Sequence, residues 1–350
     1  MRHTLIRWML VALLALGTGA LVACGDDEES SGGGSSSTDT KTEKKIKVAM
    51  VTDIGGLNDR GFNALAYKGL QQAKAELGAD IRVVTSKSNA DYVPNLSSLA
   101  RQKYDLVVAV GFLMGDATAK VAKSFPQTNF AIVDFPSGAL KGKPTNVRGL
   151  LFKEAEAGYL VGYMAGLYVK EKGGNQTVTS VGGQKVPAVD AYIAGYQAGA
   201  KKANPEIKTE FEYSQDFVDQ AKCKEIALNQ IDNGAQVVFA VAGQCGLGAL
   251  DAAKEKNVQG IGVDADQGYV NSNVMTSALK KVDVAVFDTA KTVQDGSFKA
   301  GEDGVFDVKS GAVGLGKVNA AGQPFEADVK KVSDQIAAGE ITDIPTEVGK

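Results

Sequence analysis

The sequence predicts an α/β protein made of two lobes, each built around a parallel β-sheet. Short, wholly apolar segments such as Leu106–Val110 are bounded by turn residues, which is typical of buried parallel strands. Amphipathic segments of helical period alternate with them, and this alternation is typical of βαβ units. Residues 46–350 provide enough chain for two such lobes.

The first half of the chain alternates between strands and helices. The apolar run Val48–Val51 is followed by a glycine turn and by a helical pattern over Arg60–Leu77, which Gly78 ends. The same alternation continues with strands over 81–84, 106–110, 129–134 and 147–152, and helices over 95–102, 118–125 and 154–170. A polar connection over 136–144, rich in glycine and proline, precedes the last of these strands.

The second half repeats the alternation. The predicted strands are 177–181, 207–213, 237–241, 260–263 and 274–280, and the predicted helices are 187–203, 219–233, 248–256, 282–294 and 325–338. Two short segments, 304–308 and 313–318, are expected to be antiparallel strands. We expect one lobe to contain residues 46–145 and about 272–298, and the other about 146–271 and 299–345, with a hinge of three crossings between them.

The amino terminus has the pattern of an export signal over residues 1–23. Arg2 and Arg7 flank the start of a short apolar run, and small residues lead to Cys24, which is typical of a secretory signal and not of a membrane span. The sequence Leu21-Val-Ala-Cys24 resembles a bacterial lipobox, which implies cleavage before Cys24 and lipid on that residue; a chance cysteine after an ordinary signal is the alternative. Residues 24–45 are polar and predict a flexible tether.

The turn after the first strand is the first candidate site. Asp53, Asn58 and Asp59 lie in or beside this turn, at the carboxyl end of a strand, where open α/β sheets bind ligands. Their carboxylates would repel a phosphate and would accept hydrogen bonds from a neutral or cationic ligand, while Phe62 could stack on a flat ring. The alternative is structural, with Asn58 or Asp59 as a helix cap and Phe62 in the core.

Other polar and aromatic residues follow later strands, and so are predicted on the same rim. They are Asp116, Phe217, Asp264 and Lys280. Their repeated placement after strands indicates a shared site, although a lone lysine is more commonly a solvated charge.

Composition excludes several classes of function. The net charge of −3 argues against a nucleic-acid partner. The single histidine, His3, lies in the signal, so the mature chain holds no Ser–His or Cys–His pair, and no dense aspartate cluster suggests a metal loop. We therefore expect no enzyme activity, no cofactor and no metal, and a chain that acts as a monomer.

Cys223 and Cys245 form an even pair in an exported chain. A disulfide between them is possible, and two separate buried thiols are the alternative.

Several spaced blocks carry a resemblance to a known family. They are Lys47–Leu70, Phe152–Gly158 with Gly162, Gly182–Pro187, Phe217–Asp219, Gly246–Gly248, Gly262–Gln267 and Thr276–Asp283. In this order they resemble the basic membrane protein (BMP) family of bacterial lipoproteins, the purine-nucleoside-binding components of ABC transporters. The resemblance covers residues 46–340.

The resemblance implies a type I periplasmic-binding-protein fold with two Rossmann-like lobes and a ligand between them. It implies that Phe62 and Phe217 sandwich the purine and that Asp53, Asn58 and Asp59 form the polar cluster of the first lobe. The other residues that it implicates are Asp116 at the base edge and Asp264, Lys280 and Gly243 near the ribose. Gln244-Cys245 departs from the family's glycine and threonine, and this change could alter the preference for the sugar.

The function that the resemblance implies is therefore that of a lipid-anchored receptor on the extracytoplasmic face of the cell membrane. It would bind a purine nucleoside and serve the permease and ATPase subunits of an importer. The alternatives are a receptor of the same fold for a sugar or other small polar molecule, and a ligand sensor without transport.

Overall fold

The computed structural model describes residues 45–349. The predicted signal, the lipidation of Cys24 and the tether before Lys45 lie outside the described residues. Along the described chain the strands are β1 Lys47–Val51, β2 Asp80–Val84, β3 Leu106–Ala109, β4 Asn129–Val133, β5 Val147–Phe152, β6 Thr177–Gly182, β7 Lys208–Tyr213, β8 Ala235–Val241, β9 Gln259–Asp264, β10 Val274–Lys280, β11 Gly304–Phe306 and β12 Val313–Leu315. The helices are α1 Phe62–Leu77, α2 Tyr92–Arg101, α3 Gly115–Ser124, α4 Glu154–Lys172, α5 Pro187–Ala203, α6 Gln220–Asp232, α7 Gly243–Glu255, α8 Val282–Asp295 and α9 Glu326–Ala338.

The strands form two six-stranded sheets of matching order. The first sheet runs β11-β5-β4-β3-β1-β2, and all of its pairings are parallel. The second runs β12-β10-β9-β8-β6-β7, and only the β10–β12 pairing is antiparallel. The predicted α/β class with parallel sheets is confirmed, and the shared order means that β4 and β9 occupy equivalent places in the two sheets.

The chain passes between the two sheets at three places. It leaves the first sheet after β5, returns after β10 through α8, which packs on α1, and leaves again between β11 and β12. The sequence-based boundaries differ from this arrangement at three strands, since β5 and β11 pair in the first sheet and β10 pairs in the second. The polar connection at 136–144 precedes β5 without a change of sheet, because Val147 pairs in register with Phe130 of β4.

The prediction that the last two short strands are antiparallel is confirmed for β12 and wrong for β11. β11 adds parallel to β5, whereas β12 adds antiparallel to β10. Each strand therefore completes a different sheet, and the segment between them is the third crossing.

Apolar strands and closely packed helices form the interior. Every residue of β3 is buried, as the unbroken apolar run predicts for a strand covered on both faces. α4 and α5 pack closely through glycines, because a Cβ added to Gly158 or Gly162 would overlap the carbonyl oxygens of Tyr192 and Tyr196 in α5. In residues 45–349, no helix is both long enough and apolar enough to cross a bilayer.

Candidate functional site

A cleft between the two sheets collects residues from the carboxyl ends of strands of both lobes. It encloses about 680 Å³ of space free of protein atoms, a volume that includes open solvent at its mouth. Its polar and aromatic lining consists of Asp53, Asp59, Phe62, Asn63, Phe112, Asp134, Tyr192, Phe217, Gln244, Asp264 and Lys280. Gly243 also lines it, so seven of the nine predicted ligand residues meet here.

Asp53 follows β1 and is held in place by three neighbours. The Tyr92 hydroxyl and the Ile54 amide donate hydrogen bonds to its carboxylate, and its own amide donates to Asn63 Oδ1 at 2.9 Å. Burial raises the pKa of the Asp53 carboxyl to about 6, against the opposing effect of the bonds from Tyr92 and Ile54. Gly111 has a φ of 126°, and a Cβ there would overlap this carboxylate, so the position requires glycine.

Asp59 caps the first turn of α1. Its carboxylate accepts hydrogen bonds from the amides of Gly61, Asn63 and Ala64 at 3.1, 2.6 and 3.1 Å. Burial raises its pKa, although these bonds oppose the shift. The structural interpretation therefore accounts for both oxygens of Asp59, even though the residue also lines the cleft.

Lys280 lies at the centre of a buried ionic cluster and is not a solvated charge. The residue is 1% exposed, and its Nζ lies 2.7 Å from the Asp134 carboxylate and 2.8 Å from Glu154 Oε1. Burial lowers the pKa of Lys280, but the carboxylates of Asp134, Glu154 and Asp264 outweigh this effect and raise it above its ordinary value. For the Glu154 carboxyl, burial acts in the opposite direction and raises the pKa. The lysine is therefore held as a cation.

Asp264 ends β9 on the opposite wall. Burial raises the pKa of its carboxyl to about 7, against the attraction of Lys280, and the Tyr192 hydroxyl donates to Oδ1 at 3.4 Å. Its backbone has a φ of 61°, an uncommon conformation for a residue other than glycine. Near neutral pH this group can lose or hold a proton, so it can accept or donate a hydrogen bond.

The two phenylalanines predicted from sequence line the cleft from opposite lobes. Phe62 opens α1, and its ring centroid lies 5.2 Å from Lys280 Nζ. Phe217 lies between β7 and α6, close to Gly243 at the start of α7.

Cys223 and Cys245 are joined by a disulfide with a Cα–Cα distance of 5.5 Å.

Two predicted residues lie outside the cleft. Asn58 is exposed in the turn before α1, and Asp116 is exposed in the first turn of α3. Neither side chain lines the cleft. Asp116 follows β3 in sequence, but its neighbours Ala117 and Thr118 are buried instead, so the turn of the helix directs it to solvent.

Sequence reasoning missed four residues with a part in the site: Asn63, Asp134, Glu154 and Tyr192. Asp134 carried a readable signal, since it follows a buried strand as Asp53 and Asp264 do. The sequence gives no such signal for Glu154 or Tyr192, because each lies within a helix. Their partners in the site, Lys280 and Asp264, are 126 and 72 residues away along the chain.

The arrangement favours a small, flat, neutral ligand with several hydrogen-bond donors. Carboxylates on both walls would accept these bonds, and aromatic rings from both lobes, Phe62 and Phe217 among them, offer apolar faces. Among residues 45–349, no cluster of three histidine, cysteine, aspartate or glutamate side chains has the geometry to hold a metal ion.

Comparison with known proteins gives a consistent picture. The family model described as "ABC transporter substrate-binding protein PnrA-like" matches residues 46–343. An "ABC transporter nucleoside-binding protein BmpA" of Lactococcus lactis is 35% identical over 87% of this chain and 91% of its own. A "Basic membrane protein D" of Borreliella burgdorferi is 32% identical over 79% of this chain and 80% of its own.

Solved structures agree on the architecture. A solute-binding protein of an ABC transporter system from Aeropyrum pernix superposes with a TM-score of 0.78 at 27% identity, over 87% of this chain and 94% of its own. Another from Conexibacter woesei gives a TM-score of 0.69 at 28% identity, over 86% and 99%. The fold is that of the type I periplasmic binding proteins, as predicted.

Proposed function

Because this chain belongs to the family of PnrA-like ABC transporter substrate-binding proteins, we propose that it captures a purine nucleoside between its lobes. It then delivers the nucleoside to the permease and ATPase subunits of an importer. A lipid on Cys24 holds it at the extracytoplasmic face of the cell membrane. The lactococcal relative, named for nucleoside binding, supports the ligand class, and relatives named as lipoproteins support the anchor.

The observation that carries the proposal is the division of the cleft between the lobes. Phe62 and Asp53 belong to the first lobe, and Phe217 and Asp264 to the second. A purine offers two faces for stacking, and a nucleoside offers N–H and O–H donors to the carboxylates. All four side chains contact the ligand together only when both lobes reach it, so binding favours the closed arrangement.

Asp264 and Lys280 hold the ribose in this proposal. Lys280 has three N–H donors, and Asp134 and Glu154 accept hydrogen bonds from it. One N–H remains for a ribose oxygen, while Asp264 accepts from a ribose hydroxyl. Each charge-assisted bond of this kind contributes about 1.5–3 kcal/mol. Asp134 and Glu154 therefore act as positioning residues, because they keep Lys280 charged and fixed.

A thermal-shift screen of the full chain tests the ligand class. The panel contains adenosine, guanosine, inosine, cytidine, uridine, free purine bases, ribose and galactose. A ligand that binds only the folded state raises the melting temperature by mass action. We expect shifts with purine nucleosides and none with free sugars. Shifts with sugars alone would replace the nucleoside by a sugar, a change that Gln244 in the cleft would favour.

Transport is tested separately from binding. Cells that lack this protein should take up a labelled purine nucleoside much more slowly than cells that carry it. A Cys24→Ala variant should release the protein from the membrane fraction. Normal uptake without the protein would favour a sensor over a transport receptor.

A further inference from the structure

The disulfide between Cys223 and Cys245 lies beside the loop that carries the Phe217 ring, since the Cys245 amide is hydrogen-bonded to the Phe217 carbonyl. Cys223 is in the first turn of α6, and Cys245 is in the first turn of α7. Phe217 lies three residues before α6, and Gly243 and Gln244 open α7. The bond therefore ties together the starts of two helices, and the cleft is lined by Phe217 before α6 and by the first residues of α7.

Cys245 also fixes the backbone of Phe217. Its amide donates a hydrogen bond to the Phe217 carbonyl oxygen at 3.1 Å. One residue thus carries both the covalent bond to α6 and the hydrogen bond to the loop that holds the ring. A shift of the α7 start relative to α6 would move the Phe217 backbone with it.

The space around the ring leaves little freedom for such a shift. A Cβ added to Gly183, at the end of β6, would overlap the Phe217 ring, so the ring packs directly on that glycine. A Cβ added to Gly243 would lie 3.4 Å from the Phe217 carbonyl oxygen. A Cβ added to Gly248 of α7 would overlap the Gln220 carbonyl of α6, so the two helix starts are also in close contact.

We propose that the Cys223–Cys245 disulfide is a positioning element for the Phe217 ring, and that it strengthens ligand binding through that ring. The inference rests on the proposed function, in which the ring stacks on the base. Both cysteines are fully buried, in a small core that includes Ile226, Val238 and Leu250. Both cysteines are shielded from solvent, which favours a structural bond over a redox switch. An oxidising extracytoplasmic location allows such a bond.

The first test needs no ligand. Amide hydrogen exchange is compared between the parent protein and a Cys223→Ala/Cys245→Ala variant, both as full chains. Exchange in peptides that cover 214–222 and 243–248 should become faster in the variant. A Leu250→Ala variant is the matched control, since Leu250 is 1% exposed in the same core but does not line the cleft. Unchanged exchange in the double-cysteine variant, or an equal change in the control, would overturn the proposal.

The second test is a double-mutant cycle on binding. Adenosine, guanosine and inosine are each titrated by calorimetry into the parent, the double-cysteine variant, Phe217→Ala and the combined variant. We expect loss of the disulfide to weaken binding by about tenfold, a part of what one stacked ring contributes. It should have little further effect once Phe217 is alanine, because the ring is already absent. In a Phe62→Ala background the tenfold loss should persist.

The outcomes separate this inference from the proposed function. A parent protein that binds none of the three nucleosides contradicts the proposed ligand, while the exchange experiment still decides whether the disulfide positions the loop. Nucleoside binding that is equal with and without the disulfide contradicts the positioning role alone. The same tenfold loss with and without Phe217 would assign the effect to another part of the cleft and also overturns the proposal.

Discussion

Lys280 and Asp134 form a buried ion pair that joins the two sheets. Lys280 ends β10 of the second sheet, Asp134 follows β4 of the first, and Nζ lies 2.7 Å from the carboxylate. Both side chains are almost fully buried. The pair therefore connects the lobes at the floor of the cleft, close to two of the three crossings.

Lys280→Met should strongly destabilise the protein. The substitution leaves the carboxylates of Asp134 and Glu154 buried without their cation, and breaking a buried pair in this way costs about 3–5 kcal/mol. Chemical denaturation measures the change in the free energy of unfolding. Lys330→Met is the matched control, because its pair with Asp334 is exposed, and an exposed pair contributes about 0–1 kcal/mol. Equal effects of the two variants would contradict a structural role for Lys280.

Phe62→Ala and Phe217→Ala should each weaken binding of a purine nucleoside. Loss of one stacked ring costs about 1–3 kcal/mol, or roughly 5- to 150-fold in the dissociation constant. Calorimetric titration gives the constant directly. Phe211→Ala serves as the control, since Phe211 is 42% exposed on β7 and does not line the cleft. A dissociation constant that is unchanged in both cleft variants would remove the stacking role.

Nucleoside binding should tighten as the pH rises from 5 to 8. Burial raises the pKa of Asp53 to about 6 and of Asp264 to about 7, so both are largely protonated at pH 5. A ligand that donates hydrogen bonds to the carboxylates prefers the charged forms and expels these protons. Titration calorimetry in buffers of different ionisation enthalpy should detect that proton release. Binding that weakens over this range would show that the carboxyls act as donors.

The ligand-free protein should become less stable over the same range. The folded pKa of Asp264, about 7, exceeds its ordinary value of 3.8, so the folded state binds more protons between these values. The stability that the protonated form provides is complete below about pH 4 and is lost as the pH rises through 7.

Asp264→Asn tests this contribution because it removes the titration and keeps the shape. At pH 8 the variant should be more stable than the parent by about 1–4 kcal/mol, whereas at pH 4 the two should unfold alike. Chemical denaturation curves at pH 4 and pH 8 give the free energy of unfolding of both proteins and so test this expectation. If the free energies of unfolding of the parent and the variant differ by the same amount at pH 4 and at pH 8, the raised pKa of Asp264 is contradicted.

The parts of the site that could be predicted from sequence are those set by local chain order. Asp53, Asp59 and Phe62 lie within one strand, turn and helix start, so their proximity follows from short-range geometry. The rule that ligands lie at the carboxyl ends of strands also located Phe217 and Asp264. The same rule failed at Asp116, because position after a strand does not specify which way a helical side chain points.

The remaining parts depend on pairings across long stretches of chain. Lys280 meets Glu154 over 126 residues, and nothing near either residue indicates the other. β11 and β12 are three residues long, too short for their own composition to determine a partner strand. Each is the edge strand of its sheet, so its partner depends on the assembled fold and not on its own sequence.

The three crossings limit the ways in which the cleft can open. Two bodies joined by a single linker can swivel about any axis, whereas three connections side by side resist twisting and sliding and leave bending as the soft motion. The lobes should therefore open and close by bending about a single hinge axis. Phe62 and Phe217 would then return to the same separation on every closure. The fixed distance between the two rings would select ligands by their thickness.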